Sequence, residues 1–188
     1  EFGKKEKKMG IRASSTRELI FDNCRIPKEN IIGKEGLGFI IAMKTLDNAR
    51  AGVGAQGVGI AQGAFEEAVN FARKRIQFGH PIISFQAVQH MLADMATEIE
   101  TTRNLVYKAC WMRDQGRPFR KEAAMAKLWA SEVMRRVTHR AVQIFGGYGL
   151  MEEYPVARFY RDQRLLEIGE GTSEIQRVVI SRLLGCYD

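Results

Sequence analysis

Cysteine and histidine are both scarce in this chain of 188 residues, which has three of each. Cys24, Cys110 and Cys186 are far apart and include no C-x-x-C pair, and the histidines have no spacing typical of metal ligands. This scarcity argues against a disulfide framework and a metal site, and it favours a reducing compartment. The sequence has no apolar run of transmembrane length and no signal-peptide pattern, so we expect neither a membrane protein nor a secreted one.

Basic residues outnumber acidic ones, 29 to 22, which gives a formal net charge of +7. This balance would suit a nucleic acid or an anionic small ligand such as a phosphate-bearing cofactor. The positive charges are scattered, and the dense run from Lys4 to Lys8 is interpreted as a solvated turn. Because the basic residues form no stripe, we expect no nucleic-acid partner.

Residues 1–36 differ in pattern from the rest of the chain. Arg17 to Ile26 combines β-favouring residues with alternating polarity and ends at Pro27, which predicts a strand. Gly10 to Thr16 is interpreted as a turn or a short strand before it, and two strands cannot bury a face by themselves. We therefore interpret residues 1–36 as the C-terminal remnant of a β domain whose earlier strands are missing, and residues 37–188 as a helical bundle domain.

From Gly38 onward the hydrophobic period becomes helical. Apolar residues recur at i, i+3 and i+4 steps, so that one stripe of each helix faces a core. Breaks that contain glycine and proline delimit the segments. The pattern predicts a mainly α fold, an antiparallel four-helix bundle, with long helices at about residues 38–75, 85–115, 121–145 and 173–184 and a short helix near residues 155–160.

The stretch from Glu170 to Arg177 carries the strongest chemical signal. Glu170 precedes Gly171, which has no Cβ and therefore allows a ligand to approach the backbone closely. Two hydroxyl residues then open a helix whose first N–H groups can bind anionic or polar atoms. A carboxylate beside such a ligand can remove a proton, so Glu170 is a candidate general base. The alternative is structural, because Ser173-x-x-Gln176 matches a capping box.

Small residues between Ala51 and Gly63 include the spacing G-x-G-x-x-G. No strand precedes them, so this is not a dinucleotide fingerprint. They predict a smooth helix face, against which either a neighbouring helix or an extended ligand tail would lie. Asp47 and Arg50, one turn apart just before this face, form either an intrahelical ion pair or a contact with the polar part of such a ligand.

Two further segments combine glycine with side chains suited to ligand binding. Between Arg75 and Gln86, a guanidinium, aromatic rings and an amide surround a Gly-Pro turn, where arginine can clamp a phosphate and phenylalanine can pack on a ring. The alternative is a charged loop with one buried phenylalanine. Between Gln143 and Gly149, a glycine turn either caps a helix or lets a nucleotide lie on the backbone.

In this order and spacing, the segments resemble the acyl-CoA dehydrogenase family, most closely its short-chain, butyryl-type branch. The resemblance covers the whole chain and is carried by Met9–Thr16, Cys24–Pro27, Asp47–Arg50, Arg75–Gly79, Gln143–Gly147 and Glu170–Arg177. It implies that the helical part is the family's C-terminal domain and that residues 1–36 end its middle β domain. The chain is then expected to be a C-terminal fragment of a longer enzyme.

The resemblance implies FAD-dependent desaturation of a short-chain acyl-CoA to a trans-2-enoyl-CoA, a step of fatty-acid β-oxidation, with electrons passing to an electron-transferring flavoprotein. Glu170 would remove the proton α to the thioester, and a hydride would leave the β carbon for the flavin. The resemblance implies substrate contacts for Gly171 and, at the CoA portion, for Asp47, Asn48, Ala49 and Arg50.

FAD is the implied cofactor. The resemblance assigns its ribityl and diphosphate region to Thr172, Ser173 and Glu174. It assigns binding across a subunit interface to Arg75, Phe78 and Gln86, and the adenine end to Gln143, Ile144, Phe145, Gly146 and Gly147. Because the family shares FAD between subunits, a homotetramer built as a dimer of dimers is implied.

Two positions bear on the branch of the family. Isovaleryl-type and long-chain-type members carry their base just before the helix arginine, where this chain has Ala49, so Glu170 is the sole candidate. Animal short-chain members carry a tyrosine where this chain has Gly169, and a glycine there would enlarge the floor of the pocket.

Other interpretations stay open. An acyl-CoA oxidase-like enzyme would pass its electrons to oxygen, and a helical DNA-binding or assembly module is compatible with the charge. A nitroalkane-oxidase-like relative would use aspartate as its base, which argues against it here.

We expect the fragment by itself to be inactive, because family members close an N-terminal domain and a complete β domain over the flavin. We also expect a cytoplasmic protein in a bacterium and a mitochondrial matrix protein in a eukaryote.

Overall fold

Helices dominate the computed structural model, which describes residues 1–186. The α-helices of these residues are α1 (Gly38–Lys74), α2 (Gln86–Asp114), α3 (Arg120–Phe145), α4 (Pro155–Asp162), α5 (Arg164–Ile168) and α6 (Ser173–Leu183). The predicted mainly helical architecture is confirmed, and each of the four long predicted helices agrees with the observed one to within one residue at either end. Helix α5 is missing from the prediction because five residues are too short to show a helical period.

The connections between the long helices are short. A two-stranded antiparallel hairpin, β1 (Ile76–Gln77) and β2 (His80–Pro81), joins α1 to a 3₁₀ turn (Ile82–Ser84) and then to α2. A second 3₁₀ turn (Gly146–Leu150) follows α3 and leads into α4. Across residues 1–186, none of the helices has the combination of length and apolar character that crossing a membrane requires.

Contacts between helices fix their directions. Arg103 of α2 donates to Gln62 of α1 at 2.8 Å, and Glu98 of α2 accepts from Arg136 and Arg140 of α3 at 2.9 and 2.8 Å. These contacts, with the short connections, make α1, α2 and α3 consecutive antiparallel neighbours. Helix α6 runs in the same direction as α3, because α4 and α5 carry the chain back before α6 begins.

The backbones of α1 and α3 approach closely where both helices have small residues. A Cβ atom added to Gly57 would lie 3.1 Å from the Cβ of Ala130 and 3.2 Å from its carbonyl oxygen. One at Gly54 would lie 3.4 Å from the carbonyl oxygen of Ala126. The neighbouring-helix interpretation of the small residues therefore holds for these two glycines. An added Cβ at Gly59 would meet nothing within 4 Å, so that position faces away from the contact.

Residues 1–37 contain little regular structure. The strand expected from Arg17 to Ile26 does not form as such, and the pairing is limited to an isolated antiparallel bridge between Phe2 and Leu19 with a few flanking hydrogen bonds. The physical reason is that one pair of strands without a third strand or a covering layer is only marginally stable. The proposed domain boundary between residues 36 and 37 stays a prediction.

A side chain at Gly57 is expected to separate α1 from α3. We predict that Gly57→Leu lowers the free energy of unfolding by about 1–3 kcal/mol, because the added atoms overpack the contact with Ala130. Gly59→Leu is the matched control, and it should raise the stability by up to about 1 kcal/mol, because leucine favours the helix more than glycine does. Chemical denaturation of both variants measures the difference, and equal effects would contradict the packing role of Gly57.

Candidate active site and cofactor clefts

The loop between α5 and α6, residues 169–172, carries the candidate base. Glu170 has a φ of +57° and Gly171 a φ of +88°, so two consecutive residues adopt the left-handed conformation. This conformation is uncommon for a residue with a side chain and is usually maintained by surrounding contacts. The side chain of Glu170 is exposed. The loop therefore presents a carboxylate to the outside from a constrained backbone.

Gly171 is required for two independent reasons. Its φ of +88° is one that glycine adopts without strain. A Cβ atom at this position would also lie 2.8 Å from Nε2 of Gln176. The left-handed conformation therefore disfavours a side chain here, and an added Cβ would also force the Gln176 amide to move.

Two buried donors hold the loop from beneath. Nε2 of Gln176 donates to the carbonyl oxygen of Gly171 at 3.0 Å and to that of Glu170 at 3.3 Å. Nζ of Lys127, on α3, donates to the Gly171 carbonyl at 2.7 Å. Because donors from two helices converge on one carbonyl, the position of the loop is set by both α3 and α6.

The start of α6 differs from the predicted capping box. Thr172 is the N-cap, and its hydroxyl oxygen accepts from the backbone N–H of Ile175 at 3.3 Å. Ser173 is the first helical residue, and its Oγ is buried without a hydrogen-bond partner in the described part of the chain. The box of Ser173 and Gln176 is therefore wrong, because Thr172 is the N-cap and the Gln176 amide turns to the carbonyls of Glu170 and Gly171.

The predicted diphosphate ligands line one small polar pocket at the start of α6. The pocket has a volume of about 180 Å³ and is lined by Glu132, Arg135, Arg164, Glu167, Ile168, Thr172, Ser173, Glu174 and Arg177. Its guanidinium groups are paired with carboxylates, Arg135 and Arg164 with Glu167 and Arg177 with Glu132. The helix N-terminus, the arginines and the unpaired Ser173 hydroxyl suit phosphate oxygens.

The pKa of the Glu174 carboxyl group also reflects the hydrogen-bond donors at the start of α6. Its pKa lies below its usual value, because its own backbone N–H and the hydroxyl of Thr172 donate to the carboxylate. Donors at the start of α6 thus already favour negative charge at this position.

A second cleft lies at the far end of α3. It has a volume of about 610 Å³ and is lined by Phe71, Arg75, Gln77, Ile82, Ile144, Phe145, Gly146, Gly147, Tyr148 and Met151. The fold thus brings Arg75 to the Ile144–Gly147 segment. The guanidinium of Arg75 lies 5.2 Å from the centre of the Tyr148 ring. The rings of Phe71 and Phe145 stack with centres 4.1 Å apart.

The shape of this cleft suits a flat ring beside a phosphate. Gly146 has a φ of +60°, and a Cβ added to Gly146 or Gly147 would meet nothing within 4 Å, so the backbone is open to a ligand. Stacked aromatic rings and a guanidinium provide the apolar and cationic partners that a nucleotide needs. Gln143 lies outside this cleft and lines a neighbouring hollow of about 300 Å³ with His139 and Arg161.

Phe78 and Gln86 do not enter either cleft. Phe78 occupies the tip of the hairpin with a φ of +51°, and its side chain is 90% exposed. Its ring packs edge-on against Phe85, with centres 6.2 Å apart. Gln86 is the first residue of α2 and is also exposed. Both side chains are thus free to contact another surface.

The two groups of predicted cofactor residues are widely separated within one chain. Glu132 and Arg135 of α3 line the pocket at the start of α6, and Gly146 follows the C-terminal end of α3. At the rise of an α-helix, a separation of 11 to 14 residues corresponds to about 17–21 Å. The Thr172–Glu174 pocket therefore lies beside the middle of α3, and the Arg75–Gly147 cleft lies at its C-terminal end.

The four predicted CoA contacts lie on α1, and two of them are enclosed. Asp47 and Arg50 are 7% and 4% exposed and form an ion pair with each other, which confirms the intrahelical pair. Asp47 also pairs with Arg120 at the start of α3. Asn48 is exposed, with its amide donating to the Lys44 carbonyl at 2.9 Å, and Ala49 is half-buried.

Comparison with known proteins identifies the family. The model of the acyl-CoA dehydrogenase C-terminal domain matches residues 36–185. The chain belongs to the acyl-CoA dehydrogenase family. It is 54% identical over 186 residues to the human mitochondrial short-chain specific acyl-CoA dehydrogenase. The aligned residues cover 98% of this chain and 45% of that protein. The predicted resemblance to the family and to its short-chain branch is confirmed.

Two further relatives agree with this assignment. Acryloyl-CoA reductase (NADH) of Anaerotignum propionicum is 56% identical over 180 residues, which cover 96% of this chain and 46% of that protein. The structure of butyryl-CoA dehydrogenase from Megasphaera elsdenii superposes with a TM-score of 0.96 at 53% identity, over 98% of this chain and 48% of the other. The chain thus spans a little under half the length of each of these relatives.

Sequence reasoning missed Lys127 and Gln176, the two residues that hold the loop of this acyl-CoA dehydrogenase domain. The signal for Lys127 was its position among Ala123, Ala126 and Ala130, where a charged residue interrupts a stripe of small apolar residues on α3. Gln176 gave no separate signal, because the capping pattern accounted for it.

Replacing Gly171 is expected to distort the loop. We predict that Gly171→Ala destabilises the protein by more than the roughly 1–2 kcal/mol that a left-handed alanine costs, because its Cβ would also meet Gln176. Gly116→Ala is the matched control, since Gly116 has a φ of +64° but no heavy atom within 4 Å of the added Cβ. Denaturation midpoints of the two variants measure how much stability the contact with Gln176 costs beyond the backbone strain. An equal loss of stability in Gly116→Ala and Gly171→Ala would contradict such a contact.

Proposed function

We propose that this chain supplies the C-terminal half of an FAD-dependent enzyme that desaturates a short-chain acyl-CoA to a trans-2-enoyl-CoA. The observation that carries the proposal is the loop at residues 169–172, which presents the exposed Glu170 carboxylate from a constrained backbone beside the start of α6. Membership of the acyl-CoA dehydrogenase family and the identity with short-chain relatives support the choice of reaction and of chain length.

Glu170 is the proposed general base. Its carboxylate removes a proton from the carbon α to the thioester carbonyl, and FAD, when bound, accepts the hydride that leaves the β carbon. The substrate loses one proton and one hydride, and a carbon–carbon double bond remains. Ala49 has no ionisable group, so the position before Arg50 offers no second base.

The residues at hand fit FAD in two parts. Thr172, Ser173 and Glu174 are proposed to hold the ribityl and diphosphate region, and the unpaired hydroxyl of Ser173 supports this. Arg75 and the exposed Phe78 and Gln86 are proposed to bind FAD across a subunit interface, with the adenine end held by Gln143, Ile144, Phe145, Gly146 and Gly147. We propose that the two parts come from two copies of the chain, which the exposure of Phe78 at the hairpin tip supports.

The proposed division of the FAD site between two chains implies an oligomer. We propose a homotetramer, a dimer of dimers, in which each FAD contacts two chains, and an electron-transferring flavoprotein as the electron acceptor. At the substrate, Gly171 is proposed to contact the acyl group and Asp47, Asn48, Ala49 and Arg50 the CoA portion. Because Asp47 and Arg50 are enclosed by their ion pair, Asn48 offers the exposed side chain of this set.

Replacing the base tests the mechanism in the full-length protein that carries this chain. We expect Glu170→Gln to retain FAD and butyryl-CoA binding and to slow anaerobic flavin reduction by at least about 10²-fold, because the amide cannot accept the proton. Stopped-flow absorbance of the flavin follows the rate with butyryl-CoA and, in reverse, with crotonyl-CoA. Glu153→Gln, at an exposed carboxylate, is the control with unchanged rates.

Several outcomes would change the proposal. Unimpaired flavin reduction by Glu170→Gln would remove Glu170 as the base. Rapid reoxidation of the reduced wild-type protein by oxygen would favour an oxidase. The 188-residue chain by itself is proposed to be inactive, since it spans under half of its relatives, and desaturation by that chain would contradict this.

Mixing two inactive variants tests the shared cofactor site. Arg75→Ala and Glu170→Gln should each lower the activity, because each damages one part of the site. When both variants are co-expressed and assemble at random, hybrid dimers should contain one intact site, and about a quarter of the wild-type activity should return. Steady-state assays of the purified mixture measure the recovery. No recovery from chains shown to co-assemble would place both residues in a site within one chain.

A further inference from the structure

A lysine lies beneath the loop that carries Glu170. Lys127 is 1% exposed, and its Nζ donates to the Gly171 carbonyl, 44 residues away in the sequence, at 2.7 Å. Among residues 1–186 its ammonium group forms this hydrogen bond and no ion pair. Burying an ammonium group without a carboxylate partner is unfavourable for stability, so its presence at this position calls for an explanation in function.

We propose that Lys127 is a positioning residue for Glu170. By holding the Gly171 carbonyl, it keeps the loop in the conformation that presents the Glu170 carboxylate to the substrate. This inference rests on the proposed role of Glu170 as the base, and Lys127 itself touches neither substrate nor cofactor.

The packing around Lys127 argues against a purely structural role. Its neighbours along the buried stripe of α3, Ala126 and Ala130, have apolar side chains that cannot pair with its ammonium group. The Gly171 carbonyl already accepts a hydrogen bond from Gln176 at 3.0 Å. Lys127 is therefore not needed to satisfy that oxygen, and its added effect is to fix the oxygen's position.

The strained backbone explains why a second donor is useful. Glu170 and Gly171 both have positive φ values, and strain of this kind persists only where the surroundings over-determine the conformation. Lys127 approaches from α3 and Gln176 from α6. Two donors from different helices prevent the loop from relaxing by a small rotation of either helix.

Charge strengthens this hold at neutral pH. Burial and, to a smaller extent, the charge of Arg50 on α1 lower the pKa of Lys127 from its ordinary 10.5 to about 8, while Glu167, Glu170 and Glu174 act in the opposite direction. At pH 7 the group is still mostly protonated, and a charged donor makes a stronger hydrogen bond than a neutral amine. Above pH 8 we expect the hold on the loop to weaken.

The effect on global stability has the opposite sign. Between pH 8 and 10.5 the unfolded chain binds a proton at Lys127 that the folded chain has released. The contribution of this lysine to the free energy of unfolding therefore rises with pH in that window. A loop that loosens over the same pH range in which the contribution of Lys127 to stability rises distinguishes positioning from a general structural role.

The test compares Lys127→Met with Lys108→Met, a control at an exposed lysine on α2, in the full-length, FAD-loaded protein. We expect Lys127→Met to reduce the limiting rate of flavin reduction by butyryl-CoA by about 10–100-fold, because a small displacement of a catalytic group has this effect. The dissociation constant of butyryl-CoA should change by less than about threefold, since binding contacts are retained. Lys108→Met should match the wild type in both.

Hydrogen exchange provides a readout that needs no turnover. In Lys127→Met, amides of the peptide spanning residues 169–176 should exchange several-fold faster, while those of α3 should not change. In the wild type, protection of the same peptide should fall several-fold between pH 7 and pH 9.5 after correction for intrinsic rates, as a charged donor gives way to a neutral one. Lys127→Gln, which keeps a donor, should recover part of both the rate and the protection.

The outcomes separate the two proposals. Exchange and flavin reduction equal to the wild type in Lys127→Met would overturn the role of Lys127. If that variant fails to bind FAD, Lys127→Gln and the wild-type pH series decide, and protection independent of pH would overturn it. If the wild type itself is reduced by no acyl-CoA, the proposed function fails, while the exchange data still decide whether Lys127 fixes the loop.

Discussion

The close contact between α1 and α3 is the constraint on which the rest of the structure depends. Gly54 and Gly57 let the two backbones approach until an added Cβ would crowd Ala126 and Ala130. Helix α3 is thereby fixed, and α2, α4, α5 and α6 all pack against it. Because interiors are close-packed, a shift of α3 would be transmitted to every element it touches, including the loop held by Lys127.

The loop at residues 169–172 is stable only because of distant contacts. Its left-handed residues are locally unfavourable, and its carbonyl groups point into the protein, where an unpaired oxygen would be expensive. Gln176 and Lys127 supply the donors. Local preference and global packing thus disagree at the place where the carboxylate is exposed, which is where functional sites are expected to depart from local rules.

Residues that suit a dinucleotide lie at two places along α3, beside its middle and at its C-terminal end. The start of α6 offers N–H groups and hydroxyls, and the cleft at Arg75 and Gly146 offers aromatic rings and an open backbone. The exposed Phe78 at the hairpin tip, 90% accessible, adds an apolar surface with no place in either cleft of its own chain. The proposed assembly would bring the two sets of residues to one ligand from two copies of the chain.

The sequence by itself determined the long helices and the motif around Glu170 and Gly171, because helical periodicity, glycine and proline breaks and short motifs involve neighbouring residues. It could not show that Gln176 turns to the loop instead of closing a capping box, or that Lys127 reaches a carbonyl 44 residues away. It also predicted a strand over residues 17–26 that does not form. Only the tertiary structure decided these, because each depends on partners that the fold, not the local sequence, brings together.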